Sequence, residues 1–265
     1  MTIVSIDGTE VHIEGDGAQT IVMVHGWPDT YRLWDATVEF LKPRYRCVRF
    51  TLPGFDAKPR RAPALDELNA FLRSTIQRVS PNRKVILMLH DWGCAFGYEF
   101  YMRNPDVVSR IVGVDIGNPR GLARSLSRRE TFLILAYQWW LALAWKIGGR
   151  IGDAMSVQMA RWMKSPSDQR FIHSGMAYPY YIAHFGGDQA YRRQMQSFKP
   201  ACPMLFLYGR RKPVMFHTRA WLEELPALRN ENRVLAFDTG HWIMLQQPER
   251  FNQAVGDWLS ATAER

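Results

Sequence analysis

Val85-Ile86-Leu87-Met88-Leu89-His90-Asp91-Trp92-Gly93 is the stretch whose reading decides the fold. Five apolar residues in succession suit a strand buried on both faces of a mostly parallel sheet, where no solvent-facing side imposes alternation. A helical pattern follows at once, from Cys94 to Arg103. So sharp a turn from strand to helix forces its central residue into a strained backbone conformation and pushes that side chain out above the sheet. The residue at that apex is Asp91.

Outward from this turn, short apolar runs bounded by turn residues recur at Ile3–Ile6, Val11–Ile13, Ile21–Val24, Cys47–Phe50, Ile111–Val114, Met204–Tyr208 and Arg233–Phe237. Helical patterns lie between them, at Tyr31–Leu41, Leu65–Val79, Thr218–Leu225 and Glu249–Leu259. The alternation predicts an α/β fold with helices on both faces of a mostly parallel central sheet. It breaks between about Asn118 and Lys199, where no strand pattern occurs and eight Tyr and Trp residues fall between Phe132 and Tyr181. The sheet needs the strands that follow to close its core, so this stretch reads as a helical insertion. The expected division is a core of residues 1–118 and 199–265 with an inserted helical cap at 119–198.

Two further patterns bear on chemistry. Val24-His25-Gly26-Trp27-Pro28-Asp29 follows a buried strand, and Gly26 permits a tight turn whose backbone N–H groups can point into a cleft. Asp238-Thr239-Gly240-His241-Trp242 follows the last strand. An aspartate at the apex, a turn carrying N–H donors and a late histidine suggest covalent catalysis by a carboxylate, through an ester that water then cleaves. No Ser or Cys stands at the apex, which disfavours Ser-His-Asp chemistry. Cys94, a bulky tryptophan's neighbour outside the apex, reads as a structural thiol, and His25 and His90 read as supports of their turns.

These residues resemble the α/β-hydrolase family and, within it, the aspartate-nucleophile branch of epoxide hydrolases and haloalkane or haloacid dehalogenases. The resemblance runs over nearly the whole chain: His25-Gly26-Trp27-Pro28 for the oxyanion loop, His90-Asp91-Trp92-Gly93 for the nucleophile turn and Gly240-His241 for the base. It implies Asp91 as nucleophile, His241 as base, and the backbone N–H groups of Trp27 and Trp92 as the oxyanion hole. The histidine needs a carboxylate to hold its tautomer. Many relatives carry it just after a strand ending in Tyr-Gly; here Tyr208-Gly209-Arg210-Arg211-Lys212-Pro213 puts Lys212 at that position. A second placement in the family, after the next strand, falls on Asp115, 24 positions beyond Asp91, and Asp115 is taken as the acid. Asp238, three residues from His241, is the less favoured one.

An epoxide hydrolase must also donate to the ring oxygen, and phenols do this at neutral pH. The resemblance points to Tyr137 at the first cap position and to Tyr180-Tyr181 at the second, Tyr181 being the better match, with Tyr178 as a spare. A dehalogenase needs N–H donors for the halide, for which Trp92 with Trp139 or Trp140 are candidates. The His-Gly-x-Pro pattern is closer to the epoxide hydrolases. Trp92 and Ala95 stand where fluoroacetate dehalogenases carry arginines, which disfavours that substrate. The expected function is hydrolysis of an apolar epoxide to a diol, with a dehalogenase-like hydrolase as the alternative. A non-catalytic, partner-binding member is the third reading, suggested by the altered acid position and by Leu52-Pro53-Gly54-Phe55-Asp56-Ala57-Lys58, which lacks the second Gly and the Ser of the family's Arg-Gly-x-Gly-x-Ser turn.

Composition bounds the rest. The chain has 265 residues, 47% of them hydrophobic, and a formal charge of +9, enough to bury a large core and too apolar for disorder. The charge leaves an anionic membrane surface open as a peripheral partner; no nucleic acid is expected. Arg120, Arg124 and Arg128 share one potential helix face just before the apolar run Phe132–Trp145. That run is shorter than the roughly 17–25 residues of a membrane span. Three cysteines without a CxxC pair, and an opening without a basic-then-apolar leader, suggest a cytoplasmic protein. Neither the histidine spacing nor the glycines suggest a metal or phosphate cofactor.

Overall fold

The computed structural model describes residues 1–56, 60–118, 122 and 125–263, the Arg192 side chain excepted. Among them, eight strands form one sheet: β1 (Thr2–Ile6), β2 (Thr9–Glu14), β3 (Thr20–Val24), β4 (Arg46–Phe50), β5 (Val85–His90), β6 (Val108–Val114), β7 (Met204–Gly209) and β8 (Arg233–Phe237). Their order is β1-β2-β4-β3-β5-β6-β7-β8. β1 and β2 are antiparallel, and every pairing from β4 across to β8 is parallel.

Parallel strands need covered faces, and the alternation of β5 shows how both are filled. Val85, Leu87 and Leu89 join one core cluster, Ile86 and Met88 the other. The first cluster is closed by Leu68, Phe71 and Leu72 of α2 (Leu65–Val79) and by Phe96 and Phe100 of α3 (Trp92–Arg103). The second is closed by Val38 and Leu41 of α1 (Asp35–Leu41) and by Phe251, Val255 and Leu259 of a C-terminal helix at Pro248–Ala261. Each such side chain, fully buried, stabilises the fold by about 1.5–3 kcal/mol.

The register brings the strand ends that matter together. Val24 lies opposite Leu89, His90 opposite Val114, Val114 opposite Leu207, and Gly209 opposite Phe237. The loops leaving β3, β5, β6, β7 and β8 therefore emerge along one carboxyl edge, where open α/β sheets form their ligand crevice.

Between β6 and β7 the chain leaves the sheet for α4 (Arg128–Ile147), α5 (Gly149–Trp162) and α6 (Tyr178–Phe185). Ser127 and Glu130 form a reciprocal capping box at the start of α4, and Gly148 ends it at a φ of +65°. The inserted segment is tied to the connection between β4 and α2 by Tyr178, edge-on to Phe55 at 5.6 Å, and by the Tyr191 hydroxyl, which donates to the Pro63 carbonyl.

The expected strands are all present; the expected helix Leu65–Val79 is found with those bounds, and the others differ at their ends. Tyr31–Leu41 divides into a 3-10 turn at Tyr31–Trp34 and α1. The Thr218 hydroxyl accepts from the Trp221 N–H at 3.0 Å, so that helix begins at Arg219, and it runs to Leu228. Of the basic triplet, Arg128 opens α4, while Arg120 and Arg124 lie outside the described residues, as do Ala57 and Lys58. Among the described residues, no helix is long and apolar enough to cross a membrane.

Candidate active site

The turn after β5 holds Asp91 at φ 53° and ψ −124°, a left-handed conformation that an L side chain tolerates only when its surroundings impose it. Two glycines make room. A Cβ on Gly93 would lie 2.2 Å from the Val24 carbonyl oxygen, and one on Gly26 would lie 2.3 Å from Asp91 Oδ1. The β3 loop can thus approach closely enough for the Trp27 N–H to donate to Asp91 Oδ1 at 2.8 Å. The Trp92 N–H also donates to this carboxylate.

His241, from the loop after β8, brings Nε2 to 3.4 Å from Asp91 Oδ2. Its Nδ1 hydrogen-bonds Asp115 Oδ2 at the end of β6. Asp115 is fully buried, and its other oxygen accepts from the Gly209 N–H at 3.1 Å and pairs with Lys212 Nζ. Four alternating charges therefore run through the edge of the sheet: Asp91, His241, Asp115, Lys212. Lys212, which stands where many relatives carry the acid, here reaches back to neutralise the acid supplied by the neighbouring strand.

The charges set one another's protonation. Burial alone would lower His241, but the carboxylates of Asp115 and Asp91 outweigh it and raise the imidazole to about 9. Burial would raise Asp91, yet the hydrogen bond and charge of His241 hold it below the ordinary carboxylate value. Asp115 is likewise held down against burial, by Lys212 first and then by His241. With Asp91 ionised and His241 charged, the resting site is a closed ion-pair chain.

The two flanking histidines are structural. His25 Nε2 accepts from the Leu52 N–H at 2.9 Å, which leaves the Nδ1 proton facing the Gly26 carbonyl at 2.9 Å. His90 Nε2 faces the His241 carbonyl at 3.2 Å. Burial pushes His25 down to about 4 and His90 to about 3, so neither carries charge at neutral pH. Beyond them lies Asp29, which accepts from the Trp242 indole at 3.0 Å and from the Ser167 hydroxyl of the inserted segment. Asp238 pairs instead with Arg211 at the surface. Cys94 is buried, donates to the Val114 carbonyl at 3.4 Å and is pushed by burial up to about 12, which makes it inert.

Over the carboxylate lie Tyr137 and Tyr180, edge to face at 5.9 Å. Tyr180 also meets the rings of Trp27 at 6.0 Å and Trp92 at 5.3 Å, and the Trp92 indole donates to its hydroxyl. Burial, and then the Asp91 charge, push both phenols well above the ordinary tyrosine value. Gln138 donates to the Tyr137 hydroxyl at 3.3 Å.

Two expectations require correction. Tyr181, the preferred second phenol, packs with its ring tilted against Trp145 at 4.5 Å and against Phe185, with the Lys146 ammonium over its ring. One helical step of about 100° separates it from Tyr180, which takes the place beside Asp91. Trp139 projects outward from α4 and is 57% exposed, packing on Phe185 rather than entering the site. Trp140 donates to the Met155 carbonyl at 2.9 Å, and Tyr178 is buried against Phe55. Among the described residues, no group of three or more His, Cys, Asp or Glu is arranged to hold a metal ion.

A mostly parallel sheet whose carboxyl edge presents a strained acid, two backbone donors and a carboxylate-held histidine is the architecture of an α/β hydrolase. The profile of the Alpha/beta hydrolase family matches residues 21–254, and the chain belongs to that family. Epoxide hydrolase 1 of Caenorhabditis elegans is 20% identical over 94% of this chain and 67% of its own length. A mycobacterial protein, the Probable oxidoreductase EphD of Mycobacterium tuberculosis, is 32% identical over 40% of this chain; that match spans 19% of the mycobacterial protein's length. Among solved structures, a Bacillus megaterium epoxide hydrolase in complex with an inhibitor superposes with a TM-score of 0.73 at 16% identity, covering 98% of this chain and 100% of the other. A haloalkane dehalogenase from Agrobacterium tumefaciens superposes with a TM-score of 0.70 at 20% identity, covering 99% and 96%.

Lys212 is the residue whose role the sequence concealed. Its position was conspicuous as the wrong charge in an acid's place, but only the fold shows the long side chain returning to Asp115. Asp29, at the end of the His25-Gly26-Trp27-Pro28 loop, is the other; the loop motif was the available signal.

Proposed function

We propose that this protein is a hydrolase with Asp91 as nucleophile, acting on an apolar epoxide to give a diol. The observation that carries the reading is the Asp91 carboxylate held in a strained turn, 3.4 Å from the Nε2 of a histidine fixed by Asp115. One Asp91 oxygen attacks an epoxide carbon; the ring C–O bond breaks, and the released oxygen takes a hydrogen bond and then a proton as Tyr180 and Tyr137 donate. The high proton affinity of both phenols keeps them in the donor form.

Ester formation also switches His241. It removes the negative charge beside Nε2, so the imidazolium loses one of the two carboxylates that hold its proton, gives that proton up to the phenolate left by ring opening, and becomes able to act as base. His241 then takes a proton from water as the water oxygen attacks the ester carbonyl. The Trp27 and Trp92 N–H groups, already aimed at this carboxylate, stabilise the tetrahedral oxyanion; one such donor is worth about 2.7–4 kcal/mol of barrier. The acyl C–O bond breaks, the leaving diol oxygen takes the proton from His241, and the new Asp91 carboxyl group gives its own proton to the imidazole, which restores the ion pair.

The rings of Trp27, Trp92, Tyr137 and Tyr180 around the carboxylate support an apolar substrate, aromatic or long-chain. The inserted segment, 119–198, serves as the lid that carries the two phenols. The likeness to epoxide hydrolases of Caenorhabditis elegans and Bacillus megaterium agrees with this choice. The dehalogenase alternative is less well supported: the Trp92 indole is engaged by Tyr180, the Trp140 indole by Met155, and Trp139 faces outward. The contact of Asp115 with His241 supports a working triad over a non-catalytic role. Its three free cysteines suit a reducing, cytoplasmic setting.

Incubation of the purified protein with aryl and long-chain epoxides, and separately with haloalkanes, tests the assignment. Diol formation that is lost in Tyr180→Phe supports it. Halide release without diol formation overturns it in favour of the dehalogenase.

A further inference from the structure

The proposed chemistry leaves the outward face of α4 unused. Phe132, Leu135, Trp139, Leu143 and Ile147 of this helix are between 40 and 69% exposed. Their spacing of three or four residues places them on one side of a helix with 3.6 residues per turn. The ridge they form is about 22 Å long, at about 1.5 Å per residue. Phe185, 54% exposed, packs against Trp139 at a ring distance of 6.3 Å and broadens it. Leu141 and Ala144, on the opposite side, are buried. Isolated exposed apolar residues are ordinary; a continuous apolar ridge on a folded helix marks a surface that meets something.

Charge says what that is. Residues 119–198 hold eleven Lys or Arg against four Asp or Glu, so the inserted segment carries seven of the chain's nine net positive charges. Arg128 and Arg129 stand at one end of the ridge, on its own side of the helix by the same periodicity, and Lys146 and Arg150 stand at the other; all four are exposed. Glu130 is the one acid in the α4 sequence, and its carboxylate is folded onto Ser127 as a cap. Asp153, the one acid in the α5 sequence, is turned in to the Ser174 N–H at 2.8 Å. An apolar strip with basic ends and no acid facing outward is the pattern of a helix that lies in the headgroup boundary of an anionic bilayer. A second copy of the chain would oppose basic ends to basic ends, and a nucleic acid would leave the aromatic and aliphatic ridge in water.

We propose that the outward face of α4 docks on an anionic lipid surface, with the Phe132–Ile147 ridge in the headgroup boundary and Arg128, Arg129, Lys146 and Arg150 against lipid phosphates. The reading is independent of the chemistry at Asp91, although the two share a helix: Tyr137 projects from the other side of α4 towards the carboxylate.

The test is co-sedimentation of the full chain with vesicles of phosphatidylcholine alone or with about one-third phosphatidylglycerol, at low and high salt. The expected result is binding to the anionic vesicles only, falling steeply as salt rises. Arg128→Ala with Arg129→Ala should weaken it by roughly 25-fold, at about fivefold per basic residue near such a surface. Phe132→Glu with Leu143→Glu should reduce it at least as much. Thermal melts of both variants should match the parent, because these side chains face solvent. Absence of binding to anionic vesicles, equal binding to neutral ones, or binding that both double variants leave unchanged overturns the proposal. So does a dimer that Phe132→Glu with Leu143→Glu dissolves, which would assign the ridge to a second copy.

Discussion

Replacing Lys212 by methionine keeps most of the length of the side chain and removes its charge from the most buried part of the site. In the native site Asp115 is fully buried and shares its two oxygens between Lys212 and His241, with one further bond from the Gly209 N–H at 3.1 Å. Breaking a buried pair by deleting one partner costs about 3–5 kcal/mol, and the two donors left to Asp115 place this substitution near the lower end. A loss of about 3 kcal/mol corresponds to a melting temperature lower by roughly 6–12 °C for a chain of this size. The electrostatic consequence for His241 is larger than its distance from Lys212 suggests. The ammonium and the imidazole sit on opposite oxygens of one carboxylate, roughly 6 Å apart, where unit charges interact by about 2–3 kcal/mol at an effective dielectric of about 20. Without Lys212, Asp115 holds the imidazolium more tightly, and the pH at which His241 becomes a base rises by up to about two pH units. Hydrolysis of the ester below that limb should slow by as much as about 100-fold, while ester formation stays near its native rate. Stopped-flow rates of the two steps against pH, with thermal melts, read both effects; Lys212→Arg should restore most of each. A methionine variant that melts within a degree of the parent and keeps the same pH limb would refute the coupled chain.

Asp91→Asn should abolish turnover and lower the His241 pKa from about 9, because the carboxylate 3.4 Å from Nε2 becomes neutral; an imidazole titration by NMR that is unchanged contradicts the assignment. Tyr180→Phe should slow ring opening by about a hundredfold or more, whereas Tyr181→Phe, at a ring packed against Trp145, should leave the rate within about threefold, in single-turnover assays. The raised His241 pKa also predicts a pH window of stability. A group whose pKa is raised on folding stabilises fully below its unfolded value, 6.5 here, and loses that contribution as pH rises through about 9. The difference in unfolding free energy between the parent and His241→Gln should therefore shrink by about 3 kcal/mol across that window in urea melts; a difference independent of pH would count against the ion-pair chain.

The sheet was legible because its central strands carry apolar residues on both faces. The run Val85–Leu89 admits no surface strand, and the same holds for β3 and β7. The site's core was legible for a different reason: three motifs placed at strand ends must converge once the strands are parallel. The parts that failed are those where side-chain direction depends on helix phase. Tyr180 and Tyr181 are adjacent in sequence, and only the packing of α6, with Tyr178 buried against Phe55, fixes which one faces Asp91. Trp139 and Trp140 pose the same problem on α4, whose apolar residues surround the whole helix and so hide the phase. Lys212 lay beyond local reading altogether. Its role arises from pairing across two strands, and a lone basic residue in a loop carries no sign of what it will neutralise.

The ester itself is the most direct object to look for. Exchange of the histidine for glutamine at position 241 leaves Asp91 and the phenols in place but removes the group proposed as the base that frees the product. Mixed with a panel of aryl and alkyl epoxides and digested, this variant should yield a peptide containing Asp91 heavier by the mass of one epoxide. An unmodified Asp91 peptide across the panel, from a variant that remains folded, would contradict the account.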